Sequence, residues 1–247
     1  MRIEVDPHIH TIATGHAFST IIENAKVAKE RGLLGICITD HGPARPDSPK
    51  IDYFKMLYNS YLPEKIEDIK IYTGVELNIL SKHGDIDLPE YILEKLDFVI
   101  ASFHNGTPYS SNSIVKNTEA IINTIKKPYI DGIAHPGDPH FPYPVELEEV
   151  VKAAAQFKKA LEVNNNALKR GERWFKHYTK LTELCIKYKA PILISSDAHF
   201  SYYVGDFSLS LEVISQFGDE AYDLIINRTL RGFEKFIGRE GVSTDTL

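Results

Sequence analysis

Residues 35–42 read Gly-Ile-Cys-Ile-Thr-Asp-His-Gly, a short apolar run that ends in a carboxylate and an imidazole. An apolar run of about four to eight residues between turn residues is typical of a strand that is buried on both faces of a parallel sheet. Residues 192–199, Ile-Leu-Ile-Ser-Ser-Asp-Ala-His, repeat the arrangement near the other end of the chain. The recurrence predicts buried parallel strands whose C-terminal ends carry polar side chains.

Similar apolar runs alternate with longer helical patterns through most of the sequence, as in repeated βα units. Seven strands are predicted, over residues 2–5, 35–39, 70–76, 98–102, 132–134, 160–163 and 192–195. The main predicted helices cover residues 20–31, 53–61, 113–126, 145–157 and 173–189. The fold expected from this alternation is an α/β barrel.

The composition is that of a globular protein, with 43% hydrophobic and 25% charged residues in 247. No linker rich in Gly, Ser or Pro divides the chain, so we expect one domain over residues 1–247, with 238–247 as a frayed end. The net charge of −6 disfavours binding to a long nucleic acid. No segment resembles a membrane span, and Cys37 and Cys185 lie in patterns typical of buried thiols, which together predict a cytoplasmic protein.

Seven of the ten histidines lie at or just beyond a predicted strand end. The C-terminal ends of barrel strands open onto one face, where residues far apart in sequence converge. Two carboxylates share these positions, because Glu76 ends the third predicted strand and Asp197 follows the seventh. A buried cluster of imidazoles and carboxylates is satisfied by divalent metal ions. The candidate ligands are His8, His10, His16, His41, Glu76, His104, His135, Asp197 and His199.

Spacing gives several of these residues more specific roles. His8 and His10 are two residues apart on a strand, so their side chains share a face and could hold one cation. Glu76 could bridge two cations, as carboxylates do in binuclear hydrolases. Asp40 either orients His41 or is simply a residue of the turn.

The three other histidines are assigned differently. His83 lies in a polar loop and His177 inside a predicted helix, and both are interpreted as ordinary surface residues. His140 lies in a loop close to His135, from which it could reach a substrate, but it is not counted as a ligand.

Taken together, the motifs resemble the polymerase and histidinol phosphatase (PHP) superfamily, and within it most closely the YcdX-type phosphatases. The matching motifs are His-x-His at 8–10, His16, Thr-Asp-His at 39–41, Gly-Val-Glu at 74–76, His104, His-Pro at 135–136 and Ser-Asp-Ala-His at 196–199. The resemblance extends from residue 4 to about residue 236. It implies a distorted, TIM-like barrel of seven βα units, with a metal site at the C-terminal ends of the strands.

The same resemblance implies three divalent metal ions and a ligand set for each. His8, His10, Glu76 and Asp197 would bind the first ion, Glu76, His104 and His135 the second, and His16, His41 and His199 the third. A mixed set of imidazole and carboxylate ligands suits zinc, which we favour, or manganese or iron.

The implied function is metal-dependent hydrolysis of a small phosphomonoester by a metal-bound hydroxide, which gives inorganic phosphate and an alcohol. Glu76 and Asp197 would be the catalytic carboxylates, because they orient the metals and the nucleophile. Arg170, just after the sixth predicted strand, is either a phosphate contact through its guanidinium or a solvated loop residue. Glu162 and Asn164 are placed to hydrogen-bond to the metal ligands.

Three other functions remain as alternatives. Amidohydrolases also begin with His-x-His on a barrel strand, but His41 and the pairing of Asp197 with His199 oppose that assignment, and no middle-strand lysine is found. A nuclease that acts on single-stranded ends would share the metal chemistry, although the acidic net charge favours a small phosphorylated substrate. A non-catalytic, metal-stabilised module of a polymerase would not need the complete ligand set.

Overall fold

Parallel strands form the centre of the computed structural model, which describes residues 2–59 and 61–238. The strands that follow one another around the sheet are β1 (Val5–Ile9), β2 (Gly35–Ile38), β4 (Ile69–Asn78), β5 (Phe98–Ser102), β6 (Gly132–Ile133), β7 (Ala160–Asn164) and β8 (Ile192–Ser195). A short strand, β3 (Lys65–Ile66), pairs with β4 in an antiparallel hairpin that the sequence analysis did not predict.

The sheet is nearly closed into a barrel by a seam between its first and last strands. The seam consists of a parallel bridge between Ile9 and Ala198, where the backbone N–H of His10 donates to the carbonyl of Ala198 at 2.9 Å. The other neighbouring strands are joined by parallel ladders, and the ladder between β1 and β2 shifts its register between Asp6 and Ile9. The prediction of a distorted, TIM-like α/β barrel is confirmed.

Helices cover the outside of the barrel, and the five predicted ones are present close to their expected ends. The described helices are α1 (Ile21–Glu30), α2 (Ile51–Tyr58), α3 (Glu90–Leu93), α4 (Ile114–Ile125), α5 (Leu147–Phe157), α6 (Asn165–Leu168), α7 (Glu172–Tyr188), α8 (Ser208–Ser215), α9 (Asp219–Tyr222) and α10 (Leu230–Phe236). α1 begins at a capping box, in which the side chains of Thr20 and Glu23 satisfy each other's backbone N–H groups.

The first strand was predicted at the wrong place. It covers Val5–Ile9 rather than residues 2–5, so His8 lies within the strand instead of beyond its end. Its polar residues are fully buried, and the Asp6 carboxylate accepts hydrogen bonds from the backbone N–H groups of Ser196 and Gly205 at 3.1 and 2.8 Å. A strand with a polar, buried interior lacks the apolar pattern from which strands are predicted.

The barrel interior is apolar at the end opposite the strands' C-termini. Phe233 of α10 enters this end, and its ring lies 5.2 Å from those of Tyr72 and Phe98, centroid to centroid. Buried side chains from successive strands, such as Val5 and Leu193, pack around it. Because this end is filled by hydrophobic packing, the polar strand-end residues are confined to the other end.

Other expectations concern the chain as a whole. Cys37 and Cys185 are both buried, as predicted. Across residues 2–59 and 61–238, no helix combines the length and apolarity that a membrane crossing needs, and the cytoplasmic location stays a prediction. The frayed tail predicted at residues 238–247 lies outside the described residues, apart from Gly238.

Candidate metal centre

All nine candidate ligands converge at the C-terminal ends of the barrel strands. His8 lies in β1 and Glu76 in β4, whereas the others lie in the segments that follow β1, β2, β5, β6 and β8. Six of the side chains are buried, and His16, Asp197 and His199 are half-buried at the mouth of the site. Residues that lie far apart in the sequence therefore form one cluster.

Glu76 is the centre of this cluster and is 0% exposed. Its Oε1 atom lies 3.0 Å from Nε2 of His104 and 2.7 Å from Nε2 of His135. Its Oε2 atom lies 2.7 Å from Nδ1 of His41 and 3.3 Å from Nε2 of His8. Although burial opposes ionisation, the surrounding imidazoles of His104, His41 and His8 hold the pKa of Glu76 well below its usual value. Glu76 is therefore a buried carboxylate placed among four imidazoles, and not a solvated residue at the rim.

Hydrogen bonds fix the orientation of several imidazoles by engaging the ring nitrogen that faces away from the centre. The pairs are His8 Nδ1 with Glu162 Oε1 at 2.6 Å, His16 Nδ1 with Asp47 Oδ2 at 2.7 Å, His104 Nδ1 with Asn78 Oδ1 at 2.7 Å and His135 Nδ1 with Ser102 Oγ at 2.9 Å. Such outer partners fix the ring so that Nε2 points into the centre, as is usual for metal-binding histidines.

Several inward-facing atoms have no adequate partner within the protein. Nε2 of His16 lies 3.0 Å from Nε2 of His199, and the other nitrogen of each ring faces an oxygen, so the neutral rings present lone pairs to each other. Nδ1 of His10, Nδ1 of His41 and Oε2 of Glu76 are buried without a hydrogen bond of acceptable geometry within the described residues. Buried donors and acceptors are normally paired, so this donor set fits divalent cations.

The electrostatics divide the cluster into two kinds of imidazole. Burial opposes protonation of His8 and His135, but the carboxylates around them, Glu162 and Glu76 among others, raise the pKa of His8 well above its usual value and that of His135 to about 9. Burial and the neighbouring His199 lower the pKa of His10 to about 3. The carboxylates thus favour positive charge at the centre, which protons and metal ions compete to supply.

Three overlapping groups of donor atoms lie close enough to hold an ion. Within each group all atoms are within 4.8 Å of one another, and the groups are His8, His10 and Glu76; His41, Glu76 and His104; and His10, His41 and His199. The ligand sets implied by the family resemblance differ in detail, because they place His135 rather than His41 beside His104, and His16 rather than His10 beside His199. The three groups adjoin one another, since the first two share Glu76 and the third shares His10 with the first and His41 with the second.

Two of the candidate ligands have left-handed backbone, with φ of 31° at His135 and 49° at Asp197. Such conformations are costly for residues other than glycine, and they persist where the surroundings fix them. The backbone N–H of His135 donates to Glu162 at 2.7 Å, and the amide of Asn164 donates to Asp197 at 3.1 Å. The two side chains are therefore held in place by β7, the strand between them.

Glu162 in β7 connects separate parts of the centre and is fully buried. Its Oε1 atom accepts hydrogen bonds from His8 Nδ1 and from Ser195 Oγ, both at 2.6 Å. Its Oε2 atom accepts from the backbone N–H of His135 at 2.7 Å and from the Asn164 amide at 3.0 Å. The prediction that Glu162 and Asn164 hydrogen-bond to the candidate ligands is confirmed.

Asp40 takes neither of the roles weighed for it. Its carboxylate accepts hydrogen bonds from the backbone and hydroxyl of Thr11 and from the hydroxyls of Thr14 and Tyr53, rather than from the His41 ring. Asp40 therefore holds the loop that leads from β1 to His16.

His177 differs from its predicted place on the surface, whereas His83 is exposed as expected. The His177 ring is half-buried, and its Nε2 atom lies 2.9 Å from the carbonyl of Pro136, next to the candidate ligand His135. The helical pattern could not reveal this contact, because it depends on how α7 packs against the loop after β6.

Asp47, Asn78 and Arg45 contribute to the site but were not predicted from the sequence. Asp47 and Asn78 orient His16 and His104, and the Arg45 Nη1 atom lies 3.2 Å from Nε2 of His41. The Asp and Arg follow the Asp-His motif within a few residues, which is the only local signal for them.

A cavity of about 410 Å³ opens above the cluster. Its walls include seven of the candidate ligands together with Arg45, His140, Phe141, Asn166 and Arg170. Arg170 therefore lies where the sequence placed it, at the cavity, and its role stays a prediction. A cavity of this size accommodates a small molecule beside the clustered imidazoles and carboxylates.

Comparisons with known proteins agree with this site and fold. The pattern of the PHP domain family matches residues 6–235. A probable phosphatase of Thermoanaerobacter sp. strain X514 is 44% identical over 242 residues, which cover 96% of this chain and 95% of the relative. A probable phosphatase of Caldicellulosiruptor bescii is 40% identical and covers 99% of this chain and 100% of the relative. The chain belongs to the PHP domain family.

A solved structure supports the same fold. Histidinol phosphate phosphatase from Lactococcus lactis, crystallised with zinc, L-histidinol and phosphate, aligns with a TM-score of 0.63 over 87% of this chain and 94% of its own, at 18% identity. At that identity the likeness shows the fold. With the curated relatives, the comparisons confirm the expectation of an enzyme of the PHP phosphatase class.

Proposed function

We propose that this protein hydrolyses a small phosphomonoester to an alcohol and inorganic phosphate at a centre of three divalent metal ions. The observation that carries the proposal is the placement of Glu76 among four imidazoles beneath an open cavity. The names of the relatives, probable phosphatases and a histidinol phosphate phosphatase, support phosphate-ester chemistry. We also propose that residues 1–247 form one domain of this kind.

In this proposal the nine clustered residues are the metal ligands. The first ion is held by His8, His10, Glu76 and Asp197, the second by Glu76, His104 and His135, and the third by His16, His41 and His199. Zinc is the preferred metal, with manganese or iron as alternatives, because the donors are a mixture of imidazole nitrogen and carboxylate oxygen. Bound cations would supply Lewis acidity, which activates water and neutralises phosphate charge.

The residues of the chain itself then position the reactants. Glu76 and Asp197 are the catalytic carboxylates, and both lie beside the imidazoles that line the cavity floor. Glu162 holds His8 and the His135 backbone, so that neither ring has to reorient during turnover. Arg45 projects a guanidinium beside His41, where it can hold a phosphate oxygen.

The first test is the hydrolysis of p-nitrophenyl phosphate by protein purified without chelators. We expect turnover that is lost after treatment with a chelator and restored by zinc or manganese, because the bound cations would activate the attacking water. A metal-loaded protein that hydrolyses carboxyl esters or cyclic amides, but no phosphoester, would contradict the phosphatase assignment.

The third ion is tested by the substitution His199→Ala, compared with His83→Ala as an exposed control. We expect wild type and His83→Ala to bind about three metal ions per chain and His199→Ala to bind about two, because His16 and His41 alone make an incomplete site. Elemental analysis gives these ratios, and anomalous scattering from crystals locates the ions. Two ions in wild type, or three in His199→Ala, would show that the trinuclear assignment is wrong.

A further inference from the structure

Arg170 presents an uncompensated positive charge to the cavity. Among the described residues, no carboxylate oxygen lies within 4.0 Å of its guanidinium, and its hydrogen bond joins Nη1 to Nδ1 of His140 at 3.3 Å. The other cavity arginine, Arg45, forms an ion pair with Asp47 at 3.2 Å. The two arginines therefore differ, because Arg45 already has a carboxylate partner, whereas Arg170 has none among the described residues.

Arg170 and its neighbours form a group of hydrogen-bond donors that face the same cavity. Because Nδ1 of His140 accepts from Arg170, the neutral His140 ring carries its proton on Nε2 and can donate. The Asn166 side chain also lines this part of the cavity, and no hydrogen bond within the described residues occupies its amide. A guanidinium, an imidazole N–H and an amide together suit a planar or tetrahedral anion.

This donor group is separate from the metal ligands. Within residues 2–59 and 61–238, no hydrogen bond, ion pair or ring contact joins Arg170 or His140 to the nine clustered side chains. The ring of Phe141 contacts both groups, since its centroid lies 5.1 Å from that of His135 and 5.1 Å from that of His140. His135 and Asp197 line the same small pocket as Arg170, so the donor group borders the cluster without bonding to it.

We propose that Arg170, His140 and Asn166 bind a second anionic group, on the alcohol part of the substrate, while its ester phosphate lies at the metal centre. The inference rests on the proposed phosphatase function. It defines the substrate class as small phosphomonoesters that carry an additional carboxylate or phosphate. The positive charge of Arg170 has no carboxylate partner among the described residues, so a second anionic group of the substrate would balance it.

The test compares pairs of phosphomonoesters that differ in the second group. One pair is 3-phosphoglycerate and glycerol 3-phosphate, which differ by a carboxylate in place of a hydroxymethyl group, and the other is fructose 1,6-bisphosphate and fructose 6-phosphate. For wild type we expect kcat/KM to be about 30-fold higher for the member with the second anionic group in at least one pair, since charge-assisted hydrogen bonds discriminate by this order. Which pair shows it distinguishes a carboxylate from a second phosphate.

Arg170→Ala is expected to remove this preference through KM. Its kcat/KM for the preferred substrate should fall about 30-fold relative to wild type. Its kcat/KM for the compound of the same pair that lacks the second anion should stay within about threefold of the wild-type value. Arg173→Ala, an exposed arginine in α7 outside this cavity, is the matched control and should leave both values unchanged. Calorimetric titration of the same compounds should show the same loss of affinity in Arg170→Ala.

Three results would overturn the inference. Equal losses for both members of a pair would place Arg170 on the ester phosphate, and no loss would make it a solvated residue. If the wild type had equal kcat/KM values for both members of each pair, the second anion site would not exist. If no phosphoester were hydrolysed, the proposed function would fail, and the calorimetric comparison of wild type with Arg170→Ala would still decide whether the anion site exists.

Discussion

We expect Glu76→Gln to lower kcat by at least about a thousandfold and to reduce the bound metal, because the substitution removes the one carboxylate that lies among four imidazoles. Glutamine has nearly the same volume, so the packing of β4 is kept and the loss reports on charge. Assays with p-nitrophenyl phosphate and elemental analysis measure the two effects. A variant that kept its metal and lost less than tenfold in kcat would show that Glu76 does not join the metal sites.

The second large effect is expected at Glu162, which touches no metal in the proposed assignment. Glu162→Ala leaves the ring of His8, the backbone N–H of His135, the Ser195 hydroxyl and the Asn164 amide without their shared acceptor. Loss of such outer partners typically lowers metal affinity or activity about 10- to 100-fold. The buried groups left unpaired should also destabilise the fold by about 3–5 kcal/mol.

Competition with a chelator and urea unfolding measure these two losses separately. Glu162→Gln keeps the size and one acceptor oxygen, so its losses should be smaller than those of Glu162→Ala. Glu149→Ala is the surface control, because Glu149 makes an exposed ion pair with Lys152, and such pairs contribute about 1 kcal/mol or less. Equal effects of Glu162→Ala and Glu149→Ala would mean that Glu162 does not position the ligands.

The sequence predicted those parts of the fold that have a local pattern. Strands such as β5 and β8 are continuous apolar runs, and each is followed by a polar candidate ligand, so both the barrel and the place of the site could be predicted. β1 was predicted at the wrong residues because Asp6 and His8 are buried polar residues of the site, so the strand lacks the apolar pattern of a core strand. The β3–β4 hairpin was not predicted because β3 has only two residues.

The parts of the site that could not be predicted depend on contacts between distant segments. Asn78 meets His104, and Glu162 meets His8 across 154 positions, and only the closed barrel brings such groups together. The imidazole set could be recognised because strand ends converge in any barrel. The outer partners of each imidazole differ from loop to loop, so no spacing rule identifies Asp47 or the contact of His177 with Pro136.

The complete cluster of candidate ligands can form during folding only when the seam between Ile9 and Ala198 closes the barrel. His8 and His10 are synthesised before the other candidate ligands, whereas Asp197 and His199 lie beyond the last strand, nearly two hundred residues later. Closure of the barrel pairs these two ends, and contacts so distant in sequence form slowly. In the proposed assignment, a chain whose last strand has not yet paired would lack Asp197 and His199 at the centre, and tight metal binding would require the completed ring of strands.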